Sequence, residues 1–337
     1  MKDQSSVIEA PHQALSARAG LGWGLLGVVA FSFTVPFTRV AVGGLPPLFI
    51  GSGRAVVAAV LAGFALALTR QKPPTTAQWL RLAIVAGGVV AGFPLLTSFA
   101  LTTAPASHGA VVIGLLPAAT AVAAVLRTGE RPACSFWLFA ALGAVVAVAF
   151  AALQNGGLGE LHPSDLLLFG AVLAAAVGYA EGGLLARELG AWQTVSWALV
   201  LSAPVMIALA SVALAGEPLQ ATPVQWLAFA YLAVVSMFLG FFAWYRGLAI
   251  GPMAQVSQIQ LVQPVLSILW AGLLLHEQLG WATILGGLAV ILCAGLAVRT
   301  RLPPRGHRRP GPGPGPGRRA TRREEGPERD VSAGGAG

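Results

Sequence analysis

Long apolar stretches, separated by short polar or Pro/Gly-rich breaks, dominate the chain from about residue 20 to residue 299. A helix needs roughly 20 apolar residues to cross the hydrocarbon of a bilayer. Ten stretches reach that length, so the pattern predicts an all-α integral membrane protein with ten transmembrane helices. Their predicted limits are 21–42, 47–69, 79–102, 105–126, 134–153, 166–186, 192–215, 223–249, 252–275 and 279–298.

The composition of the 337 residues agrees with a membrane location, because only 10% are charged whereas soluble domains carry about 25%. The two cysteines, Cys134 and Cys293, form no CxxC motif and lie beside no histidine pair, so neither a disulfide framework nor a metal site is predicted. No Walker loop, HExxH or GxSxG motif is present. The sequence therefore predicts a protein that is not an enzyme and has no cofactor.

Charged residues fall unevenly on the two sides of the membrane if ten spans alternate. One side, here named the basic side, receives Arg18, Arg70, Lys72, Arg81, Arg127, Arg131, Arg187, Arg246 and the C-terminal tail. The connections on the other side, named the acidic side, carry no Lys or Arg but contain Glu160, Asp165, Glu217 and Glu277. The positive-inside rule then predicts a plasma-membrane protein with both termini in the cytoplasm.

Both ends of the chain differ from the apolar region. Residues 1–20 are predicted to form a short polar cytoplasmic lead. Residues 300–337 contain nine arginines against four acidic residues, together with GPGPGPG from Gly311 to Gly317, and such a segment is predicted to be disordered. Its arginines are interpreted as a determinant of topology that can also contact anionic lipid. A basic run without a folded module is weak support for nucleic-acid binding, so no nucleic-acid partner is predicted.

The two halves of the chain repeat each other. At an offset of 147, three residues of the first half recur in the second: Pro105, Pro117 and Glu130 match Pro252, Pro264 and Glu277. Phe31 and Arg39 match Tyr179 and Arg187 at an offset of 148. Each half, 21–153 and 165–299, holds five spans, and an odd number makes the second half enter the membrane from the opposite side. The sequence therefore predicts two inverted five-helix repeats, an architecture typical of secondary transporters.

At these residues the chain resembles the EamA-type transporters of the drug/metabolite transporter superfamily. The resemblance rests on the five-plus-five layout and on two segments, APASHGAVVIGLLPAATAVAAVLRTGE (104–130) and GPMAQVSQIQLVQPVLSILWAGLLLHE (251–277). Arg54 is similar to an arginine common in the family's second span. The family often has a Trp-Gly pair and a later Lys in the first span, where this chain has Phe31, Ser32 and Arg39. The resemblance implies transport of a small molecule, and the family's substrates include amino acids, sugars and drugs.

Of the charged residues within predicted spans, where charge is costly and often functional, three are candidates for a role in transport. Glu181 is a candidate for proton coupling; the alternative is that it pairs with a basic residue and solvates its helix end. Arg39 and Arg54 are candidates for binding a substrate carboxylate, since a guanidinium presents a fixed fork of donors. Their alternative is structural, with each arginine either snorkelling to headgroups or bonding helix carbonyls.

The repeated residues have both structural and functional interpretations. Glu130 and Glu277 close the fourth and ninth spans, and their simplest role is to fix the turn into the next helix, with coupling as the alternative. Pro117 and Pro264 each free a carbonyl within a span, so they are predicted to kink it and are candidates for a hinge or gate.

The ninth span is unusually polar for a membrane helix. Gln258, Gln260 and Gln263 lie within it, and each amide needs a partner inside the bundle or in a water-filled cavity. A substrate path and interhelical hydrogen bonding explain these amides equally well. Tyr179 and Tyr245 can stack against a ligand or anchor the helices at the membrane interface.

The leading functional hypothesis is a secondary active exporter or exchanger of a small metabolite, with protons as a candidate coupling ion. The alternative is a membrane receptor or scaffold that does not transport and signals through the basic tail. An intramembrane enzyme would need His, Asp, Ser or Cys clustered at one depth, and no such cluster is seen. The expected partners are the substrate and the lipid bilayer, and nothing in the sequence indicates an oligomeric state.

Overall fold

The apolar stretches form ten helices in the structure, a computed structural model that describes residues 5–129, 133–154, 162–216, 219–250 and 259–301. No β-strand occurs in these ranges. The helices lie within one compact unit, Met1–Leu302, and confirm the predicted all-α membrane fold. They are α1 (Ser5–Ser32 continued by Thr34–Ala41), α2 (Pro47–Leu68), α3 (Thr76–Ala100), α4 (Ala106–Thr128), α5 (Cys134–Gln154), α6 (Pro163–Leu189), α7 (Ala191–Gly216), α8 (Pro223–Gly247), α9 (Val262–Leu275) and α10 (Trp281–Arg301).

Nine of these helices in the described ranges are long and apolar enough to cross a membrane, and α9 is a shorter apolar helix. Residues 251–258 of the predicted ninth span lie outside the described residues, as do residues 302–337 of the predicted tail. At the other end, α1 begins at Ser5. Most of the predicted polar lead is therefore a helical extension of the first span.

Matching caps begin α3 and α8 and extend the repeat. The backbone N–H of Thr75 donates to Gln78 Oε1 over 2.9 Å, and that of Thr222 donates to Gln225 Oε1 over 2.7 Å. Both pairs satisfy donors at a helix start that would otherwise lack partners. The two caps are 147 residues apart, and the motif Gln-Trp-Leu follows in both places, at 78–80 and 225–227. This local signal was missed in the sequence analysis.

The fourth helix of each repeat ends in the same way. Gly129 follows α4 with φ of 69°, and His276 follows α9 with φ of 53°, again 147 residues apart. A left-handed residue at this position ends a helix by redirecting the chain. At His276 the conformation is strained for a residue that carries a Cβ. The turn after α9 is therefore made by the backbone at His276 itself.

Both repeats also break the regular helix at mid-membrane. α4 consists of Ala106–Ile113 and Leu116–Thr128, and a turn at 260–261 precedes α9. Each break comes just before the repeated proline, which has no N–H to donate to the carbonyl four residues earlier. At the second break the Gln260 carbonyl instead accepts from the Gln263 N–H over 3.1 Å. The prolines thus interrupt their helices, as predicted, but the discontinuity lies two to four residues upstream of them.

The third helix of each repeat contains a π-helical segment, Ala86–Gly92 in α3 and Tyr231–Leu239 in α8. A shift of 147 residues places the first segment inside the second. Such widened turns are rare and are often found at functional sites. Pro94 follows the first segment and removes a donor there, whereas the second segment has no proline and no comparable sequence signal.

Helix packing follows the inverted repeat. α1 packs against α8 as its counterpart α6 packs against α3, and α1 contacts α9 as α6 contacts α4. The pairs α2–α7, α4–α9 and α5–α10 each join a helix to its own counterpart. The interfaces named above therefore pair under exchange of the two halves, and the interior lies between the halves. Large apolar side chains on the outside, among them Leu126, Leu138, Leu173 and Leu288, face outwards where lipid would lie.

Candidate functional site

A cavity lies between the two repeats and is here named the central cavity. It is lined by residues of α1, α2, α3 and α4 from the first repeat and of α6, α8 and α9 from the second. Residues of both π-helical segments, Val89 and Ser236, face it. Its polar side chains are Thr34, Arg54, Tyr179, Ser236 and Gln263, and its aromatic ones are Phe31, Phe93, Tyr179 and Phe241.

The central cavity is narrow in this conformation. Its volume is about 30 Å³, which accommodates one or two waters. Thr34 Oγ1 and Ser236 Oγ are hydrogen-bonded across it at 2.7 Å, joining α1 to α8. The two repeats thus meet across the cavity, and a larger occupant requires them to move apart.

Arg54 is the most unusual residue of this cavity. It lies in α2, about 10 Å along the helix axis from Pro47 at 1.5 Å per residue, and its exposed fraction is 1%. Its Nε is buried without a hydrogen-bond partner among the described residues. The structure therefore brings three predicted candidates, Arg54, Tyr179 and Gln263, to one cavity and leaves the guanidinium there without a counter-charge.

A smaller cavity adjoins the first and is here named the proline cavity. Pro117, Pro264, Gln260, Gln263 and Ser267 line it, and Gln263 also lines the central cavity. The two predicted hinge prolines are thus neighbours at the broken segments of α4 and α9. Both candidate glutamines are buried, so the helix discontinuities and the polar face of the ninth span occur at the same place.

A row of aromatic rings leads from the central cavity towards the basic side. Phe31 and Tyr179 each contact Phe241, with ring centroids 4.8 Å and 5.9 Å apart, and Phe241 stacks on Tyr245 at 5.9 Å. The Tyr245 hydroxyl is buried against α6 near Gly182, without a hydrogen-bond partner among the described residues. Tyr245 is therefore buried inside the bundle, not placed as an interfacial anchor, and it ends this row on the basic side.

Glu181 lies at the basic side, away from the central cavity, and is surrounded by arginines. Its Oε2 accepts from Arg127 Nε over 2.6 Å, and its Oε1 accepts from Arg81 Nε. Arg81 also donates to Glu188 over 2.5 Å. The side chain of Glu181 is 3% exposed. These four residues, here named the basic-side cluster, tie together α3, α4 and α6, which favours the pairing alternative for Glu181.

Two other predicted charges hold helix ends together at the acidic side. Arg39 Nη1 donates to the carbonyls of Leu101 and Thr102 over 2.7 Å and 2.8 Å, at the C-terminal end of α3. The Glu277 carboxylate accepts from the N–H groups of Ala106 and Ser107 over 2.7 Å and 2.8 Å, at the start of α4. The positive charge of Arg39 thus lies at the partly negative C-terminal end of α3, and the negative charge of Glu277 lies at the partly positive N-terminal end of α4. Glu277 thus caps a helix of the other repeat, whereas the sequence analysis had it fix its own turn.

A buried hydrogen bond between two polar side chains at the acidic side was not predicted. His108 Nε2 and Asp165 Oδ1 are 2.7 Å apart and join α4 to α6, and both residues are buried. Asp165 Oδ2 also accepts from the His162 N–H over 2.9 Å and so caps α6. No local sequence pattern links His108 to Asp165, because 57 residues separate them along the chain.

Two predicted candidates lie outside the described residues, and some residues of the central cavity were not predicted. Gln258 and Glu130 lie outside the described residues. Among the cavity residues, Thr34 and Ser236 carry no sequence signal, but the repeat already aligned Phe31 with Tyr179, and both rings face the central cavity. Ser32, where the family often has Trp-Gly, instead accepts a hydrogen bond from Trp270 Nε1 at 2.9 Å.

We expect Glu277→Ala to lower the stability of the protein by about 1 to 3 kcal/mol, because it removes two charge-assisted hydrogen bonds to N–H groups that have no other cap. The melting temperature of the purified protein in detergent measures this loss. Gln278→Ala is the matched control, since Gln278 is the exposed neighbour of Glu277. Equal melting of Glu277→Ala and Gln278→Ala would contradict the capping role.

Comparison with known proteins gives the same architecture. The model of the EamA-like transporter family matches residues 18–152 and again residues 162–299, one match for each repeat. The chain belongs to the EamA-like transporter family. It is 45% identical over 280 residues to "Uncharacterized transporter YdeK" of Bacillus subtilis (strain 168), across 82% of this chain and 97% of that protein. The resemblance found in the sequence is thereby confirmed.

One solved crystal structure is also similar, with a TM-score of 0.57 and 19% identity over 84% of this chain and 98% of that one. At this identity the likeness concerns the fold. Family membership and the apolar helices together make the chain an integral membrane transporter. The central cavity takes its lining residues from both of the matched repeats.

Proposed function

We propose that this EamA-like transporter is a secondary active exporter or exchanger of a small metabolite, which it moves by alternating access around the central cavity. The observation that carries the proposal is the position of that cavity, enclosed by side chains of both repeats. Amino acids and related compounds, or drugs, are the substrate classes considered first. Protons are the candidate coupling ion, and the plasma membrane, with both termini in the cytoplasm, is the proposed location.

The contacts at the two ends of the bundle support such a cycle. The basic-side cluster joins α3 and α4 to α6, and the His108–Asp165 pair joins α4 to α6 at the opposite side. Both sets of contacts cross between the repeats. Rocking one repeat against the other would separate one set while keeping the other, and would open the central cavity to one side at a time.

The test is the accessibility of the central cavity from both sides of the membrane. Cys134 and Cys293 are replaced, and Ser236→Cys is then treated in oriented proteoliposomes with a membrane-impermeant thiol reagent. We expect labelling from either side, because each half-cycle exposes Ser236. Ala62→Cys is the control, since Ala62 is buried in the helix core and lines no cavity described here. Labelling of Ser236→Cys from one side only, or from neither, would contradict alternating access.

Direction and coupling are tested with the same proteoliposomes. Export or exchange predicts that an unlabelled internal compound accelerates uptake of its labelled form, and proton coupling predicts that an imposed pH gradient drives net flux. Exchange that proceeds without any response to the pH gradient would leave transport in place and remove protons as the coupling ion.

A further inference from the structure

Arg54 is a buried cation for which the described residues supply no counter-charge. The buried carboxylates among the described residues are those of Asp165 and Glu181. Asp165 is paired with His108 and Glu181 with two arginines. No hydrogen bond or ion pair within the described ranges involves Arg54, and its Nε is fully buried. Arg54 therefore differs from every other charged residue of the bundle interior.

A guanidinium in such a place is energetically costly. Charged side chains are almost never fully buried unless they are paired, and a buried charge without a partner loses its hydration without compensation. Arg39 shows the usual solution in the same protein, since it donates to two backbone carbonyls. Arg54 makes no such contact, although its planar fork of five N–H donors suits the two oxygens of an oxyanion.

The rest of the central cavity indicates what else the occupant carries. The other polar groups facing Arg54 are neutral, namely two hydroxyls bonded to each other, the Tyr179 phenol and the Gln263 amide. Phe31 and Phe241 add apolar surface. No carboxylate lines the cavity, so nothing in it compensates a cationic ligand. One negative group on an otherwise apolar body matches these surroundings.

We propose that the central cavity binds an organic anion, whose carboxylate or phosphate oxygens receive hydrogen bonds from the Arg54 guanidinium. This inference rests on the proposed transport function and narrows it, because it removes cationic and neutral compounds from the substrate class. The occupant neutralises Arg54 when the cavity closes. Because the cavity observed here holds no more than one or two waters, the repeats move apart to admit the anion, and the bound state has a wider cavity than the one observed.

The experiment compares ligands that differ in charge on a similar skeleton. The melting temperature of the full-length protein in detergent is measured with phenylacetate, phenyl phosphate, neutral phenylacetamide and cationic phenethylamine. A ligand that binds the folded state raises the melting temperature with its concentration. We expect one or both anions to do so, and the amide and the amine to have no effect. The carboxylate and the phosphate then distinguish the two kinds of oxyanion.

Variants of Arg54 supply the second readout. Arg54→Gln is expected to weaken anion binding about 10- to 100-fold, the effect of losing a charged hydrogen-bond partner, and Arg54→Lys to retain part of it. Without ligand, Arg54→Gln should melt at or above the wild-type temperature, because the substitution removes an uncompensated buried charge. Arg39→Gln is the control, since Arg39 is bonded to carbonyls away from the cavity, and its anion affinity should match the wild type.

Each other outcome overturns the inference. Stabilisation by the amide or the amine alone, no response to either anion, unchanged anion affinity in Arg54→Gln, or collapse of the ligand-free Arg54→Gln protein would do so. Two-sided labelling of Ser236→Cys tests the transport proposal separately. Labelling without an Arg54-dependent anion response rejects only the substrate class. An Arg54-dependent response without two-sided labelling rejects transport and leaves an anion-binding membrane protein.

Discussion

Glu181→Gln should be among the most damaging single substitutions in this protein. It removes a buried carboxylate that accepts from both Arg81 and Arg127 and leaves the two guanidinium groups facing each other between α3, α4 and α6. Breaking a buried ion pair costs about 3 to 5 kcal/mol. The side chains of Arg81 and Arg127 are 21% and 51% exposed, so water compensates part of the loss and about 2 kcal/mol is expected.

Glu188→Gln is the matched control for this prediction. Glu188 lies on the same helix and pairs with the same Arg81, but its side chain is 46% exposed. Exposed pairs contribute about 0 to 1 kcal/mol, so Glu188→Gln should melt close to the wild-type temperature in detergent. If the two variants melted alike, the basic-side cluster would not be what holds α3, α4 and α6 together.

The same variant bears on the conformational cycle. The basic-side cluster joins the two repeats at that side only, so weakening it should favour the conformation that is open there. In the Ser236→Cys background, Glu181→Gln is expected to increase labelling from the basic side and reduce it from the acidic side. The flux of the Glu181→Gln variant should still respond to a pH gradient. In the wild-type protein the Glu181 carboxylate is already paired with two arginines, so it is not the expected carrier of a coupled proton. Loss of that response alone, with normal stability, would restore Glu181 as a coupling residue.

The membrane-spanning helices were the part of the fold that the sequence predicted most readily. The predicted span 134–153 coincides with the observed apolar helix Cys134–Leu153, and the predicted span 223–249 begins where α8 begins, at Pro223. A helix must contain a minimum number of apolar residues to cross the bilayer. The lengths of the apolar runs therefore limit where the membrane-spanning helices can begin and end. The π-helical segment of α8 had no such signal, because no proline or glycine lies within Tyr231–Leu239.

The sequence identified individual residues of the candidate site but not the partners that they contact. The cost of charge in a membrane identifies Arg54 and Glu181 equally well as candidates, and the local sequence does not separate them. What separates them is the presence of Arg81 and Arg127, which lie 100 and 54 residues from Glu181 along the chain. Glu277 and the start of α4 are likewise 171 residues apart. Such partners follow from how the two repeats pack, which local patterns do not encode.

A second large loss of stability is expected where the backbones of α3 and α6 approach each other closely. A Cβ added at Gly88 of α3 would collide with the Ala174 carbonyl oxygen and lie 3.0 Å from the Gly178 Cα, both on α6. These are backbone atoms and cannot rotate away. Overpacking a tight interface costs about 1 to 3 kcal/mol. The loss of stability in Gly88→Ala should lie at the upper end of this range, because the added methyl group can be accommodated only if the whole helices α3 and α6 move apart.

Gly87→Ala is the control that isolates this contact. Gly87 is in the same π-helical segment, but a Cβ there would meet nothing within 4 Å, so its melting temperature should equal the wild-type value. Gly88→Ala should melt several degrees lower and should also change the central cavity, because the adjacent Val89 lines it. Equal melting temperatures would show that α3 and α6 do not meet through their backbones. A loss confined to Gly88→Ala would place a backbone contact between the repeats at the π-helical segment of α3.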